Sequence, residues 1–346
     1  MGAKQGALER LGRMSFNWHG KRVLVTGASG IVGSWLVREL LARRAYVVAL
    51  VHHADPQSEL LRSGLVKQTA VINGALEDEH CIGRAINKHE VDTVFHLGAQ
   101  PIVGVAQRAP LQTFETNIRG TYLLLDACWQ MRSLVQRVVI ASSDKAYGEQ
   151  PNLPYREDMP LQGRYPYEVS ESCADLLAQS YALTYGLPVA IARCGNIYGG
   201  GDLNWSRIVP GTIRALLRSE RPLIRSNGRF VRDYIYVRDV VAAYLRLAEE
   251  VQRPDVQGQG FNFSNEAPLT VLEMVAAVCA ALGRNDLPPI IQDQAVGEIA
   301  DQYLSAEKAH CLLGWQPAYS LVQGLDETVT WYRSFFAGQE RAFNGN

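Results

Sequence analysis

The sequence predicts an α/β protein: a Rossmann-type doubly wound parallel sheet with a smaller C-terminal α/β substrate lobe. Three observations carry this. Short β-branched runs alternate with helical patterns through the first half of the chain. Those runs show little polar alternation, as expected of strands covered on both faces. The first run also enters a Gly-x-x-Gly-x-x-Gly turn at Gly27, Gly30 and Gly33, immediately before a helical pattern.

The elements follow in order. Residues 21–26 (KRVLVT) form the first strand, and residues 34–42 carry helical spacing at Leu36, Val37, Leu40 and Leu41. Further strands are expected at residues 45–51, 69–72, 93–96 and 137–142, with helices at 78–88 and, as one long element, 113–129. Beyond Gly186 the rhythm loosens. A strand at 189–193, a Gly-rich turn at 199–201, a helix at 208–218 and a short strand at 260–263 precede helices at 269–282 and 321–336. Pro288, Pro289 and Gly297 mark loops between them. The division is a flexible extension (1–17), a dinucleotide-binding domain (18–186) and a mainly substrate-binding lobe (187–346) with segments returning to the first domain.

Composition narrows the function classes. The chain has 346 residues and a formal net charge of −1, which offers no basic field for nucleic acid. No apolar run approaches the roughly 20 residues that span a bilayer. The first residues lack the apolar core of a secretory leader, and Gly6 stands where a myristoylation signal needs Ser or Thr. Six scattered cysteines without a CxxC pair predict free thiols in a reducing cytoplasm. The seven histidines show no metal spacing, so no metal is expected.

The glycine turn is the first chemical signal. Glycine removes the Cβ that would obstruct a pyrophosphate, and a helix N-terminus offers free N–H donors and a favourable dipole. A tight turn alone does not require three glycines at this spacing, and the strand before and helix after strengthen the dinucleotide reading. Ser29 and Ile31 lie between the glycines. An acid for the adenosine ribose is expected about 20 residues on, where the chain has His53, with Asp55 two further. This favours NAD and leaves NADP open.

The second signal joins SSDKAYG at residues 142–148 to YPYEVSE at 165–171. Ser143, Tyr167 and the glycine turn resemble the extended short-chain dehydrogenase/reductase superfamily, the NAD-dependent epimerases and dehydratases of nucleotide sugars. The resemblance runs from about Lys21 to Phe336. It implies that HLGAQ (96–100) passes the nicotinamide side of the cofactor, with Leu97 and Ala99 against the cofactor and Gln100 toward the substrate. It places Asn117 near the active site and Leu76 in the cofactor cleft. Ala75 departs from the family's frequent aspartate near the adenine. RCGNIYGGGD (193–202) resembles the substrate-side loop, with Asn196, and the stretch 229–239 resembles the diphosphate clamp, with Arg232. Arg207 is a further candidate, since guanidinium forks suit phosphate oxygens; any one arginine serves equally in a surface ion pair.

Within the family, the tripeptide Ser143, Asp144, Lys145 is similar to that of CDP-glucose 4,6-dehydratases. The resemblance implies that Tyr167 takes the hydroxyl proton at carbon 4, Lys145 takes the proton at carbon 5 and Asp144 protonates the hydroxyl leaving carbon 6. A 4-epimerase needs neither Asp144 nor Lys145. Cytidine is the favoured base, with guanosine, uridine and deoxythymidine open. The family's dimers also imply a homodimer through helices 113–129 and 167–185.

Glu171 is the departure. The family carries a lysine there that favours the tyrosine phenolate and holds the nicotinamide ribose. A carboxylate raises the tyrosine pKa instead, and a swing of about 3 to 4 units would suppress turnover by several orders of magnitude. Ribose hydroxyls can still donate to it. Three readings follow: an altered form of an active enzyme, an enzyme in which another cation such as Lys145 activates Tyr167, or a catalytically silent nucleotide-sugar binder.

Overall fold

The structure, a computed structural model, describes residues 16–294 and 298–344. Gly297 and residues 1–15 of the expected extension lie outside the described residues. The chain is anchored where the extension meets the first domain: the Arg137 guanidinium lies 4.7 Å over the Phe16 ring, and buried Trp18 donates through Nε1 to Glu249 Oε1 at 2.9 Å.

The first half runs β1 (Arg22–Thr26), α1 (Ile31–Ala42), β2 (Tyr46–Val51), the single turn α2 (Glu59–Arg62), β3 (Ala70–Asn73), α3 (Glu79–His89) and β4 (Thr93–His96). Next come α4 (Val103–Arg108), α5 (Pro110–Phe114), a π turn at Glu115–Arg119, α6 (Gly120–Gln130), β5 (Arg137–Ser143), α7 (Pro166–Tyr185) and β6 (Val189–Cys194). The expected single helix at 113–129 is therefore interrupted by a π turn, a feature that composition does not signal.

The rest comprises β7 (Asn196–Tyr198), α8 (Ile208–Leu217), β8 (Leu223–Ile224), β9 (Val231–Arg232), β10 (Tyr234–Tyr236), α9 (Val237–Glu250) and β11 (Gly260–Phe263). It ends with β12 (Leu269–Thr270), α10 (Val271–Leu282), β13 (Ile290–Ile291), β14 (Asp301–Gln302) and α11 (Leu321–Asn344).

Seven strands form one sheet in the order β11-β6-β5-β4-β1-β2-β3, and every pair is parallel. Its faces explain the missing polar alternation: Val23 and Val25 pack into one core, whereas Leu24 packs into the other. The strand order reverses between β1 and β4, and a doubly wound sheet opens its crevice at the carboxyl ends of strands at such a point. β6 and β11, both from beyond residue 187, complete the sheet.

Smaller sheets and helices form a third core around Ile213, Met274, Val278 and Tyr332. The two bodies face each other across the crevice. Helix α7 is inverted relative to an ordinary surface helix. Its buried positions include Glu168, Ser170, Glu171, Ser172 and Asp175, whereas Leu176, Leu183 and Tyr185 are exposed.

Candidate active site

A cleft of about 1240 Å³ separates the strand ends from the second lobe. At its first end, Gly27 has φ +64, where a side chain is strained, and its Cβ would lie 2.8 Å from the Leu97 carbonyl and Gly98 N. A Cβ on Gly33 would stand 2.1 Å from Gly27 O. These glycines thus let α1 close onto β1 and the loop after β4. Helix α1 starts at Gly30 with no side-chain cap and no acid in its first turn. Its leading N–H groups are left for a ligand, and Ser29 and Ile31 line the cleft beside them. This uncapped, acid-free terminus fits a dinucleotide pyrophosphate. Gly33→Ala is expected to cost about 1–3 kcal/mol through overpacking and to weaken dinucleotide binding, as read by urea unfolding and calorimetric titration.

Beyond β2, exposed His52 and His53 stack with ring centroids 4.0 Å apart, and both line the cleft. Asp55 Oδ1 instead accepts the Gln57 N–H at 2.8 Å within its own loop. Leu76, Leu97 and Ala99 line the wall. Asn117, carried by the π turn, is buried and spends its amide internally: Oδ1 accepts from Gln100 N at 2.7 Å, and Nδ2 donates to Gln100 O and Ser170 Oγ. Its position therefore ties the β4 loop to α7. Gln100 is not part of the cleft wall. Its side chain closes on Ile102 and Thr113, because the loop after β4 needs those bonds to turn.

The other end of the cleft holds the acid–base groups. β5 ends at Ser143, and residues Asp144–Tyr147 make a 3₁₀ turn that Ser143 caps by accepting from Lys145 N at 3.2 Å. Ser143 Oγ donates to Asp144 Oδ1 at 3.0 Å, leaving Asp144 Oδ2 buried without a partner. Burial pushes the Asp144 carboxyl up despite Lys145, Ser143 and Arg232, and burial pulls the Lys145 ammonium down despite Asp144. Lys145 Nζ donates to the side-chain oxygen of wholly buried Gln302.

Tyr167, in the first turn of α7, brings its hydroxyl beside Ser143 and Glu171 in the cleft wall. Burial, then Glu171, holds its pKa well above the ordinary phenol value. Glu171 itself is pushed up to about 8, by burial first and then by Asp175. At pH 7 this position therefore favours a neutral carboxyl over the carboxylate expected from sequence. Tyr167 loses a neighbouring cation more than it gains an anion.

On the far wall, Arg207 Nη1 lies 3.1 Å from Asp202 Oδ2, and Arg232 donates to Val231 O and Ala300 O with Glu298 3.5 Å away. Asn196 also lines the cleft. Both arginines are therefore held in place, and only Arg207 is closely neutralised.

The model of the NAD dependent epimerase/dehydratase family matches residues 23–262. The chain belongs to this family. It is 28% identical to the CDP-glucose 4,6-dehydratase of Salmonella typhimurium over 339 residues, covering 93% of each chain. The UDP-glucose 4-epimerase of Thermotoga maritima, solved with UDP-glucose, matches with TM-score 0.83 and 27% identity over 91% of this chain and 99% of its own. The dTDP-glucose 4,6-dehydratase of Streptomyces venezuelae, solved with NAD and TYD, matches with TM-score 0.81 and 27% identity over 90% and 97%. Similarity to the epimerase/dehydratase family is thus divided between its two reactions.

Several residues behind the site escape sequence reading. Arg193 makes a bidentate pair with Asp175, at 2.8 and 3.0 Å, and donates to Tyr147 OH at 2.7 Å. Asp175 also accepts from Ser142 and Gln179. Buried Tyr244 contacts Cys194 and faces Tyr167 and Glu171. The one local hint was Asp175 one turn beyond Glu171; Arg193, Tyr147 and Tyr244 come from elsewhere in the chain. Among the described residues no helix is long and apolar enough to cross a membrane.

Proposed function

We propose that this family member is a nucleotide-sugar 4,6-dehydratase. One observation carries the reading: neighbouring Asp144 and Lys145, in the cleft wall beside Tyr167, are displaced in opposite directions. An elimination requires an acid and a base, and these shifts favour the protonated carboxyl and the neutral amine that would serve. An epimerase has no step for either.

A bound nicotinamide dinucleotide, NAD in preference to NADP, supplies the hydride acceptor and donor. Gly27, Ser29, Gly30, Ile31 and Gly33 hold its pyrophosphate. His53, Leu76, Leu97 and Ala99 line its path toward Tyr167 and Glu171. Arg207, Arg232 and Asn196 hold the diphosphate of the nucleotide sugar. Tyr167 takes the proton of the carbon 4 hydroxyl, Lys145 takes the proton at carbon 5, and Asp144 protonates the hydroxyl departing carbon 6. The outward apolar face of α7, with Tyr122 exposed on α6, supports pairing with a second copy.

Incubation with CDP-glucose, GDP-mannose, UDP-glucose and dTDP-glucose is expected to give a product lighter by one water from one donor, read by mass. Lys145→Met is expected to lower that rate by about 10²–10⁴-fold. A product of unchanged mass from any donor would favour a 4-epimerase and remove the dehydratase reading.

A further inference from the structure

Four side chains follow one another along the cleft wall: Asp144, Ser143, Tyr167 and Glu171. Ser143 Oγ donates to Asp144 Oδ1 at 3.0 Å. The Tyr167 hydroxyl joins Ser143 on one side and the Glu171 carboxyl, one helical turn on, at the other. Both ends are acids with little exposure to water: Asp144 is 3% exposed and Glu171 is 6% exposed. A lysine in place of Glu171 would end this line in a group without an acceptor. The carboxyl makes the line capable of carrying a proton in either direction.

We propose that Glu171 is the terminal proton acceptor of this line, so that Tyr167 takes the sugar hydroxyl proton while passing its own proton to Glu171, and the line then returns that proton to Asp144. The inference rests on the dehydratase reading, and it removes the need for a standing phenolate.

The proton balance of the reaction asks for such a return. In the proposed cycle the reactive form has Asp144 protonated and Glu171 ionised. With a bound nicotinamide to accept the hydride of carbon 4, the O–H pair would become the second bond of the carbonyl. That proton moves to Tyr167 O, and the Tyr167 proton moves to Glu171. In the elimination, Lys145 takes the carbon 5 proton. Asp144 gives its own to the carbon 6 oxygen, which leaves as water with its bonding pair. Hydride then returns to carbon 6, and Lys145 returns its proton to carbon 5. At this point Glu171 has gained one proton and Asp144 has lost one. Glu171 gives its proton to Tyr167, Tyr167 to Ser143 and Ser143 to Asp144. Tyr167 and Ser143 each begin and end with one proton, Asp144 and Glu171 return to their starting states, and no proton is drawn from solvent.

The surroundings suit a carboxyl that exchanges a proton near neutrality. Asp175 faces Glu171 from the next turn of α7, although Arg193 neutralises much of its charge. Asp144 faces it from the turn after β5, and Tyr244 from α9, with Cys194 at the end of β6 beside that tyrosine. Arg207 bears on Tyr167. Burial and the two acids place the Glu171 midpoint at about 8.

Glu171→Gln tests the line because glutamine keeps the shape but accepts no proton. With no substrate present, infrared titration is expected to show a protonated carboxylic acid in the starting protein that disappears around pH 8 and is absent from Glu171→Gln. Tyrosinate absorbance, referenced to Tyr167→Phe, is expected to show Tyr167 ionising at least about one unit lower in Glu171→Gln. On whichever of the four nucleotide sugars gives product, the rate is expected to rise about tenfold per pH unit below 8 and then level off. Glu171→Gln is expected to be at least a hundredfold slower at pH 9, with Glu171→Asp restoring part of the rise. A Glu171→Gln protein that keeps the pH profile, the infrared band or the Tyr167 midpoint overturns the relay. If no donor gives product in any variant, the dehydratase reading falls, and the two substrate-free titrations decide the relay separately.

Discussion

Under the dehydratase reading, Glu171→Lys is expected to raise product formation at pH 7 by roughly a hundredfold or more, because an ammonium beside the Tyr167 hydroxyl lowers its pKa by some 2–3 units. Asp175 one turn away, which now helps drive Glu171 up, supplies the counter-charge for the lysine, shared with Arg193. The gap between the two proteins narrows as pH rises through 8, where Glu171 ionises and can draw the tyrosine proton. A pH series of initial rates on the active donor checks this. No product from any of the four sugars in the lysine variant would end the dehydratase reading and leave a nucleotide-sugar binding protein, for which ligand-dependent stabilisation without turnover is the signature.

The same side chain sets a stability trend. Its pKa is raised in the folded state, from 4.5 to about 8. Between those values the unfolded chain has released its proton and the folded chain has not, so this group lowers stability as pH rises across the window. Beyond pH 8 its effect is constant. Glu171→Gln removes the slope, so its gain over the starting protein is larger at pH 8 than at pH 5 in urea unfolding.

Arg193→Met destabilises the fold by about 3–5 kcal/mol, the cost of leaving a buried carboxylate without its cation. Arg193 and Asp175 are both almost wholly buried, with their side chains 4% and 0% exposed, and they meet in a two-pronged contact. Pairing Arg193→Met with Asp175→Leu recovers most of the loss, because the uncompensated charge is then gone. Urea unfolding of the four proteins in this cycle measures the coupling. The effect also reaches the site: without Arg193 the bare Asp175 charge pushes Glu171 further up, so in Arg193→Met its infrared titration moves above 8. A Glu171 midpoint that stays put would separate the ion pair from the site electrostatically.

The fold was legible because its signals are local. Leu24 faces one core and Val23 and Val25 the other, so β1 needs apolar residues at successive positions, and the sequence displays them. Gly27 and Gly33 stand where any Cβ would strike backbone, so that requirement too is written in the residue types. The π turn at Glu115–Arg119 was hidden, since its residues suit an ordinary helix equally well. Gln100 was read from its loop as facing a substrate. Bonds to Ile102 and Thr113, each stronger as geometry than as pattern, turn it inward.

The acid–base residues were legible in kind but not in state. Ser143, Asp144, Lys145, Tyr167 and Glu171 stand out as residue types at a telling spacing, and their chemistry follows from their functional groups. Whether a carboxyl holds its proton depends on how much water reaches it and which charges surround it, and that is settled by packing from distant parts of the chain. Gln302, 157 positions from Lys145, is the acceptor for its ammonium. Arg193 reaches Asp175 because α7 packs against β6. The sequence alone therefore determined the architecture, the family resemblance and the list of reactive groups, since these depend on neighbours within a few residues. Only the tertiary structure decided that Glu171 is a largely neutral acid at pH 7 instead of a fixed negative charge, because desolvation is a property of the assembled interior.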